Sequence, residues 1–290
     1  MPDATTPWVD TYGKGEGECL RARGGDRTSL TSDLDDEPKI LDDPIAARLV
    51  RQELEGHGLA SCLIGRRLRA MFALRSRYAE DCLAESLSNG IGQHVLLGAG
   101  LDTFAYRQPE WARSLRIFEV DHPTTQSWKR ERLAAAKIPI PANVTFVPVD
   151  FERISPGEGL TGGCLDFRVP TFFSSPGVSQ YLTEEAWDLS LSLVLSLPSA
   201  SEIVFSFVST ASTLSWQERA LAAISAASAR AHGEPWLSRY SPERFANKLS
   251  SMGFSKVFYF SSNEANARYF RGRRDGLRAS KLEQMMRAIV

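Results

Sequence analysis

The stretch His94-Val-Leu-Leu-Gly-Ala-Gly-Leu-Asp-Thr103 is followed, one short segment later, by Arg116-Ile-Phe-Glu-Val-Asp121. An apolar run that breaks into a glycine-rich turn, and a second apolar run that ends in an acid, is how an α/β nucleotide-binding domain begins. The first strand delivers the bare backbone of its turn to an adenosine-containing ligand. The carboxylate that closes the second, Asp121, can accept hydrogen bonds from two vicinal ribose hydroxyls.

The turn itself separates the possible ligands. A dinucleotide fingerprint needs a third glycine where Thr103 stands,. Asp102 lies near the start of the following segment, where a pyrophosphate would sit, and a carboxylate there opposes two phosphate charges. That disfavours a nicotinamide-dependent oxidoreductase. S-adenosylmethionine (SAM) has no phosphate and carries a sulfonium and an amino group, so Asp102 is harmless or helpful to it. A plain helix-capping role for Asp102 is compatible with either ligand.

At 290 residues, 43% hydrophobic and 24% charged, the chain is long enough to bury a core without staples,. A net charge of −1 argues against general binding to nucleic acid or membrane surfaces,. No apolar run reaches membrane-spanning length, and Met1–Pro7 has no secretory pattern, so a cytoplasmic protein is expected,. The four cysteines (Cys19, Cys62, Cys82, Cys164) and four histidines (His57, His94, His122, His232) are scattered, which suits reduced thiols and no metal site,.

Residues 1–41 read as a loosely structured arm or lid, with an acidic cluster at Asp33, Asp35, Asp36 and Glu37, and residues 42–290 as one domain. Helical patterns begin at Asp43-Pro44 and run from about Ala60 to Ser88, ended by Asn89-Gly90,. Strands are expected at 95–97, 115–120, 144–149, 169–173, 202–208 and 256–260. Helices are expected at 123–137, 182–197 (N-capped by Thr183), 214–232 and 241–252, and a short one at 281–290 with Leu282, Met285, Met286 and Ile289 on one face. Gly157–Gly163 reads as a loop. This alternation predicts a doubly wound, mostly parallel sheet with helical additions before its first strand. Asp150-Phe151, at the end of the third apolar run, could form an adenine pocket, with the carboxylate on the exocyclic amine and the ring stacked on the base. Glu119 is expected on the opposite side of its strand from Asp121.

Gly98-Ala-Gly-Leu-Asp-Thr-Phe-Ala-Tyr-Arg107, Phe118-Glu-Val-Asp-His-Pro123 with Lys129, and Val147-Pro-Val-Asp-Phe151 resemble the leucine carboxyl methyltransferase family, which includes bacterial O-methyltransferases. So do Arg75-Ser-Arg-Tyr-Ala-Glu-Asp81, Gly177-Val-Ser-Gln-Tyr-Leu-Thr183 and Arg268–Leu277. The resemblance implies the class I SAM-dependent methyltransferase (Rossmann-like) fold. It implies that Arg77 holds the SAM carboxylate, that Gly98 and Gly100 pass beside its methionine part, that Asp121 takes the ribose, and that Asp150 with Phe151 takes the adenine. Ser175 and Pro176 stand where relatives carry a Trp followed by Glu or Leu, so an acidic contact to the cofactor is expected to be missing.

Methyl transfer is an in-line displacement, in which the protein mainly positions two reactants. A carboxylate acceptor on a small molecule is ionised at neutral pH and needs no base. A hydroxyl acceptor benefits from one, and Tyr181, past the fourth strand at the sheet's carboxyl edge, is the favoured candidate over His122. Arg107 could pair with an acidic substrate or with Asp102. A non-catalytic SAM-binding role is the alternative.

Overall fold

The computed structural model describes residues 37–50, 63–151, 153–162, 165–231 and 233–290. In chain order they form α1 (Pro44–Val50), α2 (Leu63–Ser86), β1 (Gln93–Leu97), β2 (Arg116–Asp121), α3 (Pro123–Ala135), β3 (Val144–Pro148) and α4 (Pro156–Gly162). There follow β4 (Thr171–Ser175), α5 (Glu184–Leu195), β5 (Glu202–Val208), α6 (Trp216–Ala231), α7 (Pro242–Met252), β6 (Lys256–Phe260), α8 (Ser262–Tyr269) and β7 (Glu283–Ile289). The expected arm up to residue 36, and Cys19, Cys62, Cys164, His57 and His232, lie outside the described residues. Ile40 and Leu41, at the end of that expected arm, are buried in the core.

Successive residues of a strand face opposite sides of its sheet, and here both sides are apolar. Leu96 of β1 joins a core with Leu74, Tyr78 and Leu83 of α2. Val95 and Leu97 join another with Trp187, Leu191 and Val194 of α5. Phe172 and Phe173 of β4 are divided the same way. Strands buried on both faces require helices on both faces, and this produces the expected doubly wound Rossmann-like layering. The strand order is β3-β2-β1-β4-β5-β7-β6, with only β7 running against its neighbours. The order reverses between β1 and β4, so the carboxyl ends of these two strands border the crevice where open α/β sheets bind ligands,.

Local signals set several boundaries. The Thr183 side chain accepts the Ala186 amide, and the Ser241 side chain that of Arg244,. Gly90 closes the turn after α2 with φ 84°,. Three expectations need correction. Residues 283–289 form β7 rather than a helix. Both faces of that strand are covered, so burial of Glu283–Met286 is continuous and shows no period of two; Met285 packs toward α2 and Met286 toward α5. Of the expected loop Gly157–Gly163, residues 157–162 are helical, because Pro156 and a reciprocal Ser155–Glu158 capping pair start α4 there, and Gly163 lies outside the described residues,. Glu119 and Asp121 are two residues apart on β2 and share a face. Glu119 is fully buried, 2.8 Å from Lys129 Nζ and accepting the Tyr106 hydroxyl at 2.8 Å. Burial raises its pKa, and Lys129 opposes that shift.

Cys82 is buried and unpaired, and burial pushes its thiol pKa up to about 12. No helix among the described residues is long and apolar enough to cross a membrane, and no group of three metal-ligating side chains occurs among them.

Candidate functional site

The turn after β1 folds back over the end of β2. The Gly98 and Ala99 amides both donate to the Val120 carbonyl, at 2.8 and 3.1 Å. This backbone needs φ of 67° at Gly98 and 43° at Gly100, the left-handed region that favours glycine,. The two glycines differ in what surrounds them. A Cβ on Gly98 would overlap Val178, whereas one on Gly100 would meet nothing nearer than a carbonyl oxygen at 3.9 Å. Gly98 is therefore required by the protein's own packing, and Gly100 leaves an open approach for a ligand.

Asp121 is 5% exposed and accepts two backbone amides, from Gly100 and, at 2.6 Å, from His122. Each oxygen keeps a second lone pair for a ligand hydroxyl. Burial raises the pKa of this carboxyl, and the two amides and Lys129 pull it back. Asp150 lies one strand over, its Oδ2 3.9 Å from His122 Nε2 and 3.4 Å from Arg153 Nε. Phe151 beside it is half-buried against the α5-side core. Gly98, Gly100, Asp121, Asp150 and Phe151 thus follow one another along the carboxyl ends of β1, β2 and β3. His122 caps α3, its Nδ1 accepting the Thr124 amide at 3.3 Å.

The arginines of α2 divide. Arg77 Nε donates to Asp81 at 2.8 Å and its Nη1 to the Ile40 carbonyl at 3.3 Å, and its side chain is 44% exposed. The structure does not bring it to the sheet edge. Arg75, two residues back and so about 200° around the helix, is the arginine that reaches it. Its Nη1 lies 3.3 Å from Glu283 Oε1, and its guanidinium lies 4.6 Å from the Phe72 ring centroid. Its Nε is buried without a hydrogen-bond partner among the described residues. Gly177 (φ 78°) has no room for a Cβ because the Arg75 guanidinium occupies that space. The sequence did not single out Arg75 because only the rotational phase of α2 distinguishes it from Arg77.

Beyond β4 the chain is stitched to β1 and β5. Ser175 Oγ donates to the Leu97 carbonyl at 3.2 Å, Gly177 N to Ser206 Oγ at 2.6 Å, and Ser179 Oγ to the Ser206 carbonyl at 2.8 Å. Tyr181 ends the short helical turn Ser179–Tyr181, half-buried, with its amide on the Val178 carbonyl at 2.9 Å. The same Val178 packs against Gly98, so Tyr181 is tied to the glycine turn through one residue.

Asp102 Oδ1 accepts the Phe104 amide at 2.8 Å, a local turn bond, and Thr103 rather than Asp102 is the N-cap of the helical turn Phe104–Tyr106. Ser76 and Asp102 line two small cavities between α2 and the turn, one bordered also by Asp43 and Thr103 and the other by Glu80, His94, Ser174 and Pro176. Arg107 pairs with neither Asp102 nor open space. It forks onto Glu80 and lies 3.4 Å from Asp43, which also accepts the Thr103 hydroxyl and the Ala46 amide. This buried network fixes α1 to the glycine turn.

These groups fit an adenosylated amino acid. Gly100 leaves room, Asp121 offers paired acceptors, and Arg75 has an unsatisfied donor. The sequence profile of the leucine carboxyl methyltransferase family matches residues 27–194. The Bacillus subtilis protein YktD, named as a candidate S-adenosyl-L-methionine-dependent methyltransferase, is 36% identical over 220 residues, covering 74% of this chain and 71% of that protein. A Mycobacterium avium protein named for the same activity is 35% identical over 128 residues, 44% of this chain but only 40% of its own length. Two solved structures show the same fold. A DUF574 family protein from Streptomyces avermitilis has a TM-score of 0.59 at 14% identity over 92% of this chain and 96% of that one. A candidate methyltransferase from Thermobifida fusca has a TM-score of 0.53 at 16% identity over 92% and 93%. With the ligand row, the family profile and YktD in agreement, the chain belongs to the leucine carboxyl methyltransferase family and is a SAM-dependent methyltransferase.

Proposed function

We propose that this enzyme methylates an oxygen, carboxylate or hydroxyl, on a small metabolite in the cytoplasm, with neither nucleic acid nor membrane as partner. The observation that carries the reading is the placement of Tyr181, joined through Val178 to Gly98 at the β4 side of the ligand row. That leaves one side of the carboxyl edge for the cofactor and the other for an acceptor. Asp121 takes the ribose hydroxyls, Asp150 and Phe151 the adenine, and Gly98 and Gly100 border the methionine part. Arg75, in place of Arg77, takes the α-carboxylate. When bound, SAM would supply the methyl group of its sulfonium to an acceptor oxygen in line, with S-adenosylhomocysteine as the leaving group. The residues of the chain position the two partners and exclude water. A carboxylate acceptor asks for no base, and for a hydroxyl acceptor Tyr181 orients the O–H and relays its proton to solvent as the O–C bond forms.

The test has two stages. S-adenosylhomocysteine (SAH), but not NADH, should raise the melting temperature. Methyl-labelled SAM is then offered with a panel of small carboxylic acids and phenols. An alkali-labile labelled product marks an ester and an alkali-stable one an ether. Label transferred only to nitrogen or carbon acceptors would sink the O-methylation reading.

A further inference from the structure

Arg75 and Glu283 form an ion pair at the carboxyl edge of the sheet, on the β4–β5–β7 side of the glycine turn. Glu283 has a side-chain exposure of 5% and Arg75 of 10%. A buried pair is stable only when its remaining donors and acceptors are satisfied, and these are not. Glu283 Oε1 takes both of its contacts among the described residues, from Arg75 Nη1 at 3.3 Å and from the Ser206 hydroxyl. Its Oε2 has no hydrogen bond among the described residues. Arg75 likewise uses one of its two terminal nitrogens, and its Nε is buried and unpaired. One cation and one anion therefore stand side by side, each with capacity left over.

The pair is built into the cofactor crevice. Ser206 holds Glu283 with its hydroxyl hydrogen and accepts the Gly177 amide on the same oxygen. Gly177 yields the space of its missing Cβ to the Arg75 guanidinium, and the next residue, Val178, fills the corresponding space at Gly98. Glu283 thus connects to the glycine turn through Ser206, Gly177 and Val178.

We propose that Glu283 holds the α-ammonium of SAM while Arg75 holds its α-carboxylate. This rests on the SAM-binding row above and adds to it a residue from the last strand. A guanidinium beside a carboxylate is the electrostatic complement of an α-amino acid. Binding closes a ring of alternating charge: Arg75, ligand carboxylate, ligand ammonium, Glu283. Each member then gains the charge-assisted partner that it lacks in the protein alone. Ser206 fixes Oε1, so that Oε2 is the oxygen presented to the ligand.

The test compares binding of SAH with that of its deaminated analogue by calorimetry, on the wild-type protein and on Glu283→Gln, with 5′-methylthioadenosine as a ligand that lacks the amino-acid part. The wild type should prefer SAH over the deaminated analogue by about tenfold to a hundredfold. Glu283→Gln should lose most of that preference and bind 5′-methylthioadenosine as the wild type does. Retained preference in the variant, or an equal loss for all three ligands, overturns the proposal. Should the variant fail to fold, the wild type still decides: equal affinity for SAH and the deaminated analogue also overturns it. A wild-type protein that binds 5′-methylthioadenosine but gains nothing from the amino-acid part removes this inference and the Arg75 contact, and leaves the adenosine site standing. Failure to bind any of the three ligands removes the SAM site with it.

Discussion

The amide of Gly100 donates to the carboxylate of Asp121, so the turn after β1 is pinned to the residue that ends β2. One carboxylate thus shapes the glycine turn and is the group proposed to take the ribose. Asp121→Ala should abolish the SAH-induced rise in melting temperature. Asp121→Asn, with one acceptor oxygen in place of two, should weaken SAH by at least about tenfold in calorimetry. Unchanged affinity in either variant would refute the ribose assignment.

Arg75 and Arg77 give opposite expectations. Arg75→Ala should reduce SAH affinity by about tenfold or more, through the loss of a charge-assisted contact. Arg77→Ala should leave SAH affinity within about twofold and act on the protein by freeing the Ile40 carbonyl, while Asp81 keeps Arg268 and Tyr269. Reversed outcomes would return the carboxylate contact to Arg77.

His94 is buried between Phe104 and Phe172, with Nε2 2.8 Å from the Ser174 hydroxyl and Nδ1 without a partner. Burial lowers its pKa from 6.5 to about 4, and Asp102 opposes the shift. Between those values the unfolded chain binds more protons than the folded one. Stability present above about pH 6.5 is therefore lost as pH falls toward 4, by about 3 kcal/mol at the limit. Urea unfolding from pH 7 to pH 4 should show the wild type losing more stability than His94→Gln across that window. Parallel curves would contradict the assignment.

Gly98→Ala places a Cβ into Val178 and an L side chain at positive φ. A loss of about 1–3 kcal/mol is expected in urea unfolding, with weaker SAH binding. Adding Val178→Ala removes the overlap but not the backbone strain, so it should restore only part of the stability. Full recovery would show that φ carries no cost there.

The β1–β3 half of the site was legible because its signals are local. Glycines and acids that end apolar runs mark strand ends, and Gly98, Gly100, Asp121 and Asp150 lie where that logic puts them. The β4–β7 half was not. Choosing Arg75 over Arg77 depends on the phase of a helix whose neighbours are distant in sequence. Glu283 is 208 residues from Arg75, and its strand is buried on both faces, which erases the alternation that would reveal it. Arg107 looked available for a substrate because Glu80 and Asp43, its partners, sit on other elements. By contrast, Ser261-Ser-Asn-Glu264 is an unread capping box that would have announced α8,.

The antiparallel strand β7 follows β6 in the chain, yet it lies inside the sheet, between β5 and β6. β6 therefore has no neighbour to pair with until residue 289 has cleared the ribosome. A nascent chain can assemble β1 to β5, glycine turn included, while the β5 edge stays bare and Arg75 lacks its carboxylate. Emergence of β7, rather than formation of the glycine turn, sets the moment at which Arg75 and Glu283 can meet.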